Sequence, residues 1–337
     1  MTTAVTRKYL AYFIRSITYF LWGIDYATGL RPIIYFLISI YSFFLFAIFS
    51  FNISGVAEGI IASVNYKTPE NNLFERNYPV IVSKEEAPFI TASAAGVYDR
   101  RTGRVLYSKV PDQKAAPAST TKLMTALVSL ELYSPEEKIK IPYFCTNIDS
   151  TKAWLPADEE FYAYDLIKTM LIGSAGDAAC ALATAKISYS EFVERMNVKA
   201  DSLGMKSTNF INPIGLDGYN GVHFSTVSDL HILAMSSVSN EDIGNIVKTR
   251  EFTINSLSSD FSTKVFNTNR LLWELEGTTG IKTGTTAEAG EVLIYGWKDD
   301  LKELLIVVMG SSDRFGDTLS LLNWSNRVYA WDGDRDY

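Results

Sequence analysis

Residues 92–131 read ASAAGVYDRRTGRVLYSKVPDQKAAPASTTKLMTALVSLE. The apolar run at 93–98 predicts a strand. Asp99-Arg100-Arg101-Thr102-Gly103 supplies turn chemistry, and 104–107 predicts the returning strand. A polar loop with Pro111 and Pro117 follows. Leu123, Leu127 and Leu130 then fall on one side of a helix expected over 120–132. A hairpin therefore feeds a helix whose first turn begins beside Ser119.

Downstream, helical spacing recurs at 164–172, 178–187, 191–203 and 226–238, with Gly173 and Gly176 breaking the first two apart. Strand character returns at 251–255, 280–283, 291–297 and 303–309, and a last helix is expected over 318–331. Two strands, a block of helices, several strands and a closing helix make an α+β pattern. The simplest assembly puts the first hairpin and the late strands into one antiparallel sheet. The last helix flanks it, and the middle helices form an inserted lobe. A cleft between sheet and lobe is the expected site.

Upstream, residues 33–51 read IIYFLISIYSFFLFAIFSF with no charge. That is close to the roughly 20 residues a spanning helix needs. Arg7, Lys8, Arg15 and Arg31 precede it against Asp25 alone, which orients the N-terminus to the cytoplasm. The alternative is a cleaved signal peptide, with Gly55-Val56-Ala57 as cleavage site. The expected organisation is residues 1–54 as cytoplasmic N-terminus and N-terminal transmembrane helix, 55–89 as extracytoplasmic linker and 90–337 as the compact domain. Localisation follows as a single-pass bacterial cytoplasmic membrane protein with its domain outside.

The net charge of −7 argues against nucleic acid as partner. Cys145, Cys180, His223 and His231 are the only cysteines and histidines, and their spacing makes no metal site. The cysteines are read as two free, partly buried thiols, with a disulfide as the alternative.

Ser119 and Lys122 stand three apart at the start of the predicted helix, on one face and one turn apart. A Ser hydroxyl becomes a nucleophile when an unprotonated amine takes its proton. Alone this pair is weak, since an N-cap Ser with a solvated Lys is the ordinary reading. Lys282-Thr283-Gly284, on a predicted strand and followed by Thr285, strengthens it. Both triplets in this order fit serine penicillin-recognising enzymes.

With PASTTKLMTALVSLE, YDLIKTMLIGSAGDAACALA, the TNFINPIGLD loop, HFST at 223–226 and NTNRLLW at 267–273, residues 90–330 resemble the D-alanyl-D-alanine carboxypeptidase family. The resemblance implies a β-lactamase/transpeptidase-like fold and a serine-type hydrolase that needs no cofactor or metal. Its substrate would be a peptidoglycan stem peptide ending in D-Ala-D-Ala, with β-lactams as inhibitors. By that resemblance Ser119 is nucleophile, Lys122 base and Ser174 proton relay. Lys282, Thr283, Thr285 and Arg314 would bind the terminal carboxylate, Arg314 from a loop. Gly284 would let substrate approach the strand, and the backbone N–H groups of Ser119 and Thr285 would form the oxyanion hole.

One position departs from the family. Its second motif is Ser-x-Asn, and here Ser174-Ala175-Gly176 stands. Gly176 has no side chain to hold the catalytic Lys and a substrate carbonyl. The loss implies weaker positioning, or a gap filled by water or another side chain. It keeps a non-catalytic peptidoglycan-binding protein as an alternative, alongside an endopeptidase. A β-lactamase would need a deacylating Glu in 208–224, where none occurs.

Overall fold

The computed structural model describes residues 78–218 and 221–331. Strand β1 (Val80–Ile81) leads to β2 (Ala94–Asp99) and β3 (Val105–Lys109). A 3-10 turn (Ala118–Thr121) opens α1 (Lys122–Leu132). Then come β4 (Lys138–Lys140), α2 (Tyr143–Thr146), β5 (Glu160–Tyr162), α3 (Ala163–Ile172), α4 (Gly176–Thr184), α5 (Tyr189–Leu203), α6 (Val227–Ser239) and α7 (Glu241–Val247). Next are β6 (Glu251–Asn255), β7 (Ser262–Phe266), α8 (Leu271–Glu274), β8 (Thr278–Thr286), β9 (Gly290–Lys298) and β10 (Glu303–Ser311). The long helix α9 (Arg314–Val328) and β11 (Tyr329–Ala330) close the chain.

The main sheet is antiparallel with order β3-β2-β10-β9-β8. Its central strands are buried on both faces, so they read as continuous apolar runs. Alternation sorts them between two cores. Leu305, Val307, Met309, Val292, Ile294, Ala94 and Tyr98 face the helical lobe. Leu304, Ile306, Val308, Leu293, Tyr295, Ala95 and Val97 face α9, against Leu321, Leu322, Trp324 and Val328. The period of two in the sequence is thus used twice, once per face. The turn between β2 and β3 closes as expected. Asp99 Oδ1 accepts from Thr102 N at 2.8 Å, and Gly103 sits at φ 72°.

Several expectations change. The linker was to run to residue 89, yet Val80–Ile81 already pairs with β11. Val82 N also donates to Val328 O at 2.8 Å, and Glu85 pairs with Arg327 at 2.6 Å. That segment lacks a long apolar run, so its docking onto α9 left no sequence signal. Arg314 is not in a loop but is the first residue of α9. Asp313 caps that helix through Gly316 N at 3.0 Å. The helix correspondingly ends at Val328, because Tyr329–Ala330 is pulled into pairing with β1.

The cysteines are not free thiols. Cys145 on α2 and Cys180 on α4 form a disulfide, with Cα atoms 5.6 Å apart. The expected membrane helix at 33–51 lies outside the described residues. Among those described, no helix is long and apolar enough to cross a membrane.

Candidate active site

The nucleophile's turn is built by crowding. Ala118 adopts φ +49°, a left-handed conformation uncommon for a residue with a Cβ. It thereby presents Ser119, half-buried, at the tip of the 3-10 turn. The strand β8 lies hard against this turn. A Cβ at Gly284 would stand 2.8 Å from Ala118 Cβ and 2.9 Å from Ser119 N. The expectation for Gly284 was room for substrate. The nearer constraint is room for the nucleophile's own backbone. Gly215, at φ +87°, meets the same turn from the other side, where a Cβ would fall 2.0 Å from Ala118 O.

Lys122 is fully buried on the first turn of α1. Its Nζ lies 2.9 Å from Ser119 Oγ and donates to Ile214 O at 2.5 Å. Asn212 shapes that loop. Its Oδ1 accepts from the N–H groups of Ile214, Gly215 and Leu216, and its Nδ2 donates to Leu216 O. Burial pulls the Lys122 amine down to about 7, against the opposing charge of Asp177. A neutral amine holding Ile214 O with one N–H keeps its lone pair for the Ser119 proton.

Lys282 is also fully buried, and its Nζ donates to Ser174 Oγ at 2.9 Å and Thr283 O at 3.1 Å. Burial, then the charges of Lys122 and Arg314, hold its amine well below the ordinary lysine range. The repulsion between the two amines falls on Lys282. Ser174, like Ala118, sits at positive φ, +57°. Thr283 Oγ1 is 2.5 Å from Thr268 Oγ1. Arg314 Nη1 donates to Gly284 O at 2.8 Å and Thr285 Oγ1 at 2.5 Å, while its buried Nε has no partner among the described residues. The three motifs and Arg314 thus converge on one place.

Gly176 opens α4, and its N–H donates to Thr151 O at 2.6 Å. The loop preceding β5 lies directly on it. A Cβ at 176 would fall 2.8 Å from both Cβ and Oγ of Ser150 and 3.3 Å from Ile214 Cγ2. The space is filled by another side chain, one of the outcomes the departure implied.

Sequence reasoning did not assign roles to Ile214, Asn212, Ser150 or His223. His223 is buried, with Nδ1 accepting from Ile211 N at 3.1 Å and Nε2 lying 3.0 Å from Thr121 Oγ1. Burial lowers it to about 4. It is a neutral brace under the nucleophile's turn. Among the described residues no group of three or more His, Cys, Asp or Glu is arranged to hold a metal ion.

A family model described as D-alanyl-D-alanine carboxypeptidase matches residues 81–313. The chain belongs to that family. It is 34% identical over 227 residues to D-alanyl-D-alanine carboxypeptidase DacF of Bacillus subtilis, covering 66% of this chain and 58% of that protein. It is 33% identical to the D-alanyl-D-alanine endopeptidase of Escherichia coli, covering 70% of this chain and 78% of the relative. The crystal structure of the Streptomyces K15 DD-transpeptidase superposes with a TM-score of 0.69 at 28% identity. It covers 72% of this chain and all of that one. Family membership thus joins relatives named for three related reactions.

Proposed function

We propose that this chain is an extracytoplasmic serine D-alanyl-D-alanine carboxypeptidase that trims peptidoglycan stem peptides. The observation that carries the reading is the buried Lys122 amine, 2.9 Å from Ser119 Oγ and pulled down to about 7. An ordinary solvated Lys would be almost wholly charged at neutral pH and could not act as base.

In the reaction Ser119 Oγ attacks the carbonyl of the penultimate D-Ala, and Lys122 takes the hydroxyl proton. The new bond is Oγ–C, and the carbonyl becomes an oxyanion. The N–H groups of Ser119 and Thr285 are assigned to it, each such donor contributing about 3 kcal/mol. The C–N bond then breaks, and a proton relayed through Ser174 reaches the leaving amine. Water attacks the acyl-enzyme, returning Ser119 and releasing the shortened peptide. Lys282, with Thr283, Thr285 and Arg314, binds the terminal carboxylate. The Arg314 Nε, without a partner among the described residues, supports this, because a buried donor without an acceptor is uncommon. An incoming carboxylate also favours the protonated form of Lys282, which burial otherwise disfavours. A β-lactam would acylate Ser119 by the same attack.

The extracytoplasmic assignment rests on residues 33–51 and their charge flanks, with the Cys145–Cys180 disulfide as support. The deciding experiment is D-Ala release from a pentapeptide by wild type and Ser119→Ala. Equal release, or none from either, sinks the proposal. Endopeptidase action is the second reading, favoured by the Escherichia coli relative. Cleavage of a cross-linked muropeptide faster than the pentapeptide would select it.

A further inference from the structure

We infer that Ser150 takes over the substrate contact that Asn makes in the family's Ser-x-Asn motif, so that the functional second motif is split between Ser174 and the loop over α4. The inference rests on the acyl-transfer reading above.

The observation is a mutual exclusion. Ser150 Cβ and Oγ both lie 2.8 Å from where a side chain at 176 would begin. Real Cβ atoms do not tolerate that approach, so residue 176 is Gly because Ser150 is present. The approach is held from four sides. Gly176 N donates to Thr151 O at 2.6 Å. The Asp177 carboxylate accepts from Ala153 N and Leu155 N, both at 3.1 Å. Ser150 N donates to Ile148 O at 3.0 Å. The Cys145–Cys180 disulfide ties the start of the same segment to α4.

Ser150 lies one contact away from the loop that holds the base. The vacated Cβ position also touches Ile214 Cγ2 at 3.3 Å, and Ile214 O is the group that holds Lys122. Ser150 is half-buried, and its Oγ makes no hydrogen bond to the described residues. A hydroxyl brought this close, able both to donate and to accept, can meet the amide carbonyl that precedes the penultimate D-Ala, the counterpart of a penicillin's acylamino carbonyl. A mere space-filler would serve as well with a methyl group.

The test uses the intact chain and two β-lactams. Benzylpenicillin carries an acylamino carbonyl, and 6-aminopenicillanic acid lacks it. Ser150→Ala should slow acylation by benzylpenicillin about tenfold, the loss of one neutral hydrogen bond. Acylation by 6-aminopenicillanic acid should be unchanged, and Ser150→Thr should retain most of the benzylpenicillin rate. Gly176→Asn alone should be slower than wild type, and Gly176→Asn with Ser150→Gly should recover. Equal rates for wild type and Ser150→Ala, equal slowing with both compounds, or a Gly176→Asn variant faster than wild type would each overturn the inference. If Gly176→Asn fails to fold in a thermal melt, the Ser150→Ala comparison decides. Wild type that is not acylated at all overturns the acyl-transfer reading as well, which separates the two failures.

Discussion

The pH dependence of acylation follows from the burial of a single amine. Lys122 is drawn to about 7 by its removal from water. Its neutral fraction is then about 0.09 at pH 6, 0.5 at pH 7 and 0.9 at pH 8. A solvated Lys would be neutral in only about 3 in 10,000 molecules at pH 7, so burial raises the reactive fraction about a thousandfold. The sign is fixed: a base works when deprotonated, so the rate rises with pH and levels off above the amine's value. The assay is the first-order acylation rate at saturating fluorescent penicillin, from pH 5 to 9. It should climb about fivefold from pH 6 to 7 and less than twofold from 7 to 8. Lys122→Arg, whose guanidinium stays charged, should abolish it. A rate still rising tenfold per unit at pH 9 would mean an ordinary amine, and a flat profile would mean another base. Either refutes the reasoning.

Lys282 gives the opposite slope in binding. Its amine is held low, yet the substrate carboxylate needs it charged, so KM for the pentapeptide should rise with pH while kcat rises too. Replacing both cysteines with Ser opens a loop of sequence separation 35 and should cost about 4 kcal/mol. A thermal melt should then fall by about 8 °C. Gly284→Ala pushes a methyl group into Ala118 and Ser119 N, and should lower penicillin acylation at least tenfold and the Tm by about 2–6 °C. His223 is lowered by burial from 6.5 to about 4, so the folded state favours its neutral form. That stability is whole above pH 6.5 and is lost as pH falls toward 4. It amounts to about 3 kcal/mol, and denaturant unfolding at pH 7 and 4 should differ less in His223→Gln.

What the sequence disclosed was whatever travels as a short string or a period. Ser119 and Lys122 are three apart on one turn, and Lys282 to Thr285 lie on one strand. The sheet strands alternate, and Gly176 stood out against its own motif. What it concealed was contact through space. Ile214 acts through its carbonyl, which any residue possesses, so no letter marks it. Ser150 meets Gly176 only because Asp177 and the disulfide fold a loop back on α4. Cys145 and Cys180 were open to a disulfide outside the cell, but a lone pair without a framework of spacings favoured free thiols. The helical placement of Arg314 is legible, since Asp313 before it is an N-cap signal. Strands as short as Lys138–Lys140 and Glu160–Tyr162 carry too few residues to show a period.

Ala118 and Ser174 twist the chain into a left-handed shape that disfavours residues with side chains, on the order of 1 kcal/mol or more each. Anyone evolving this protein for heat tolerance will therefore find glycine rewarding at both addresses. At 174 that gain would delete the relay hydroxyl, and at 118 it would slacken the turn that aims the nucleophile. Selection for toughness and selection for turnover should part company at these two positions.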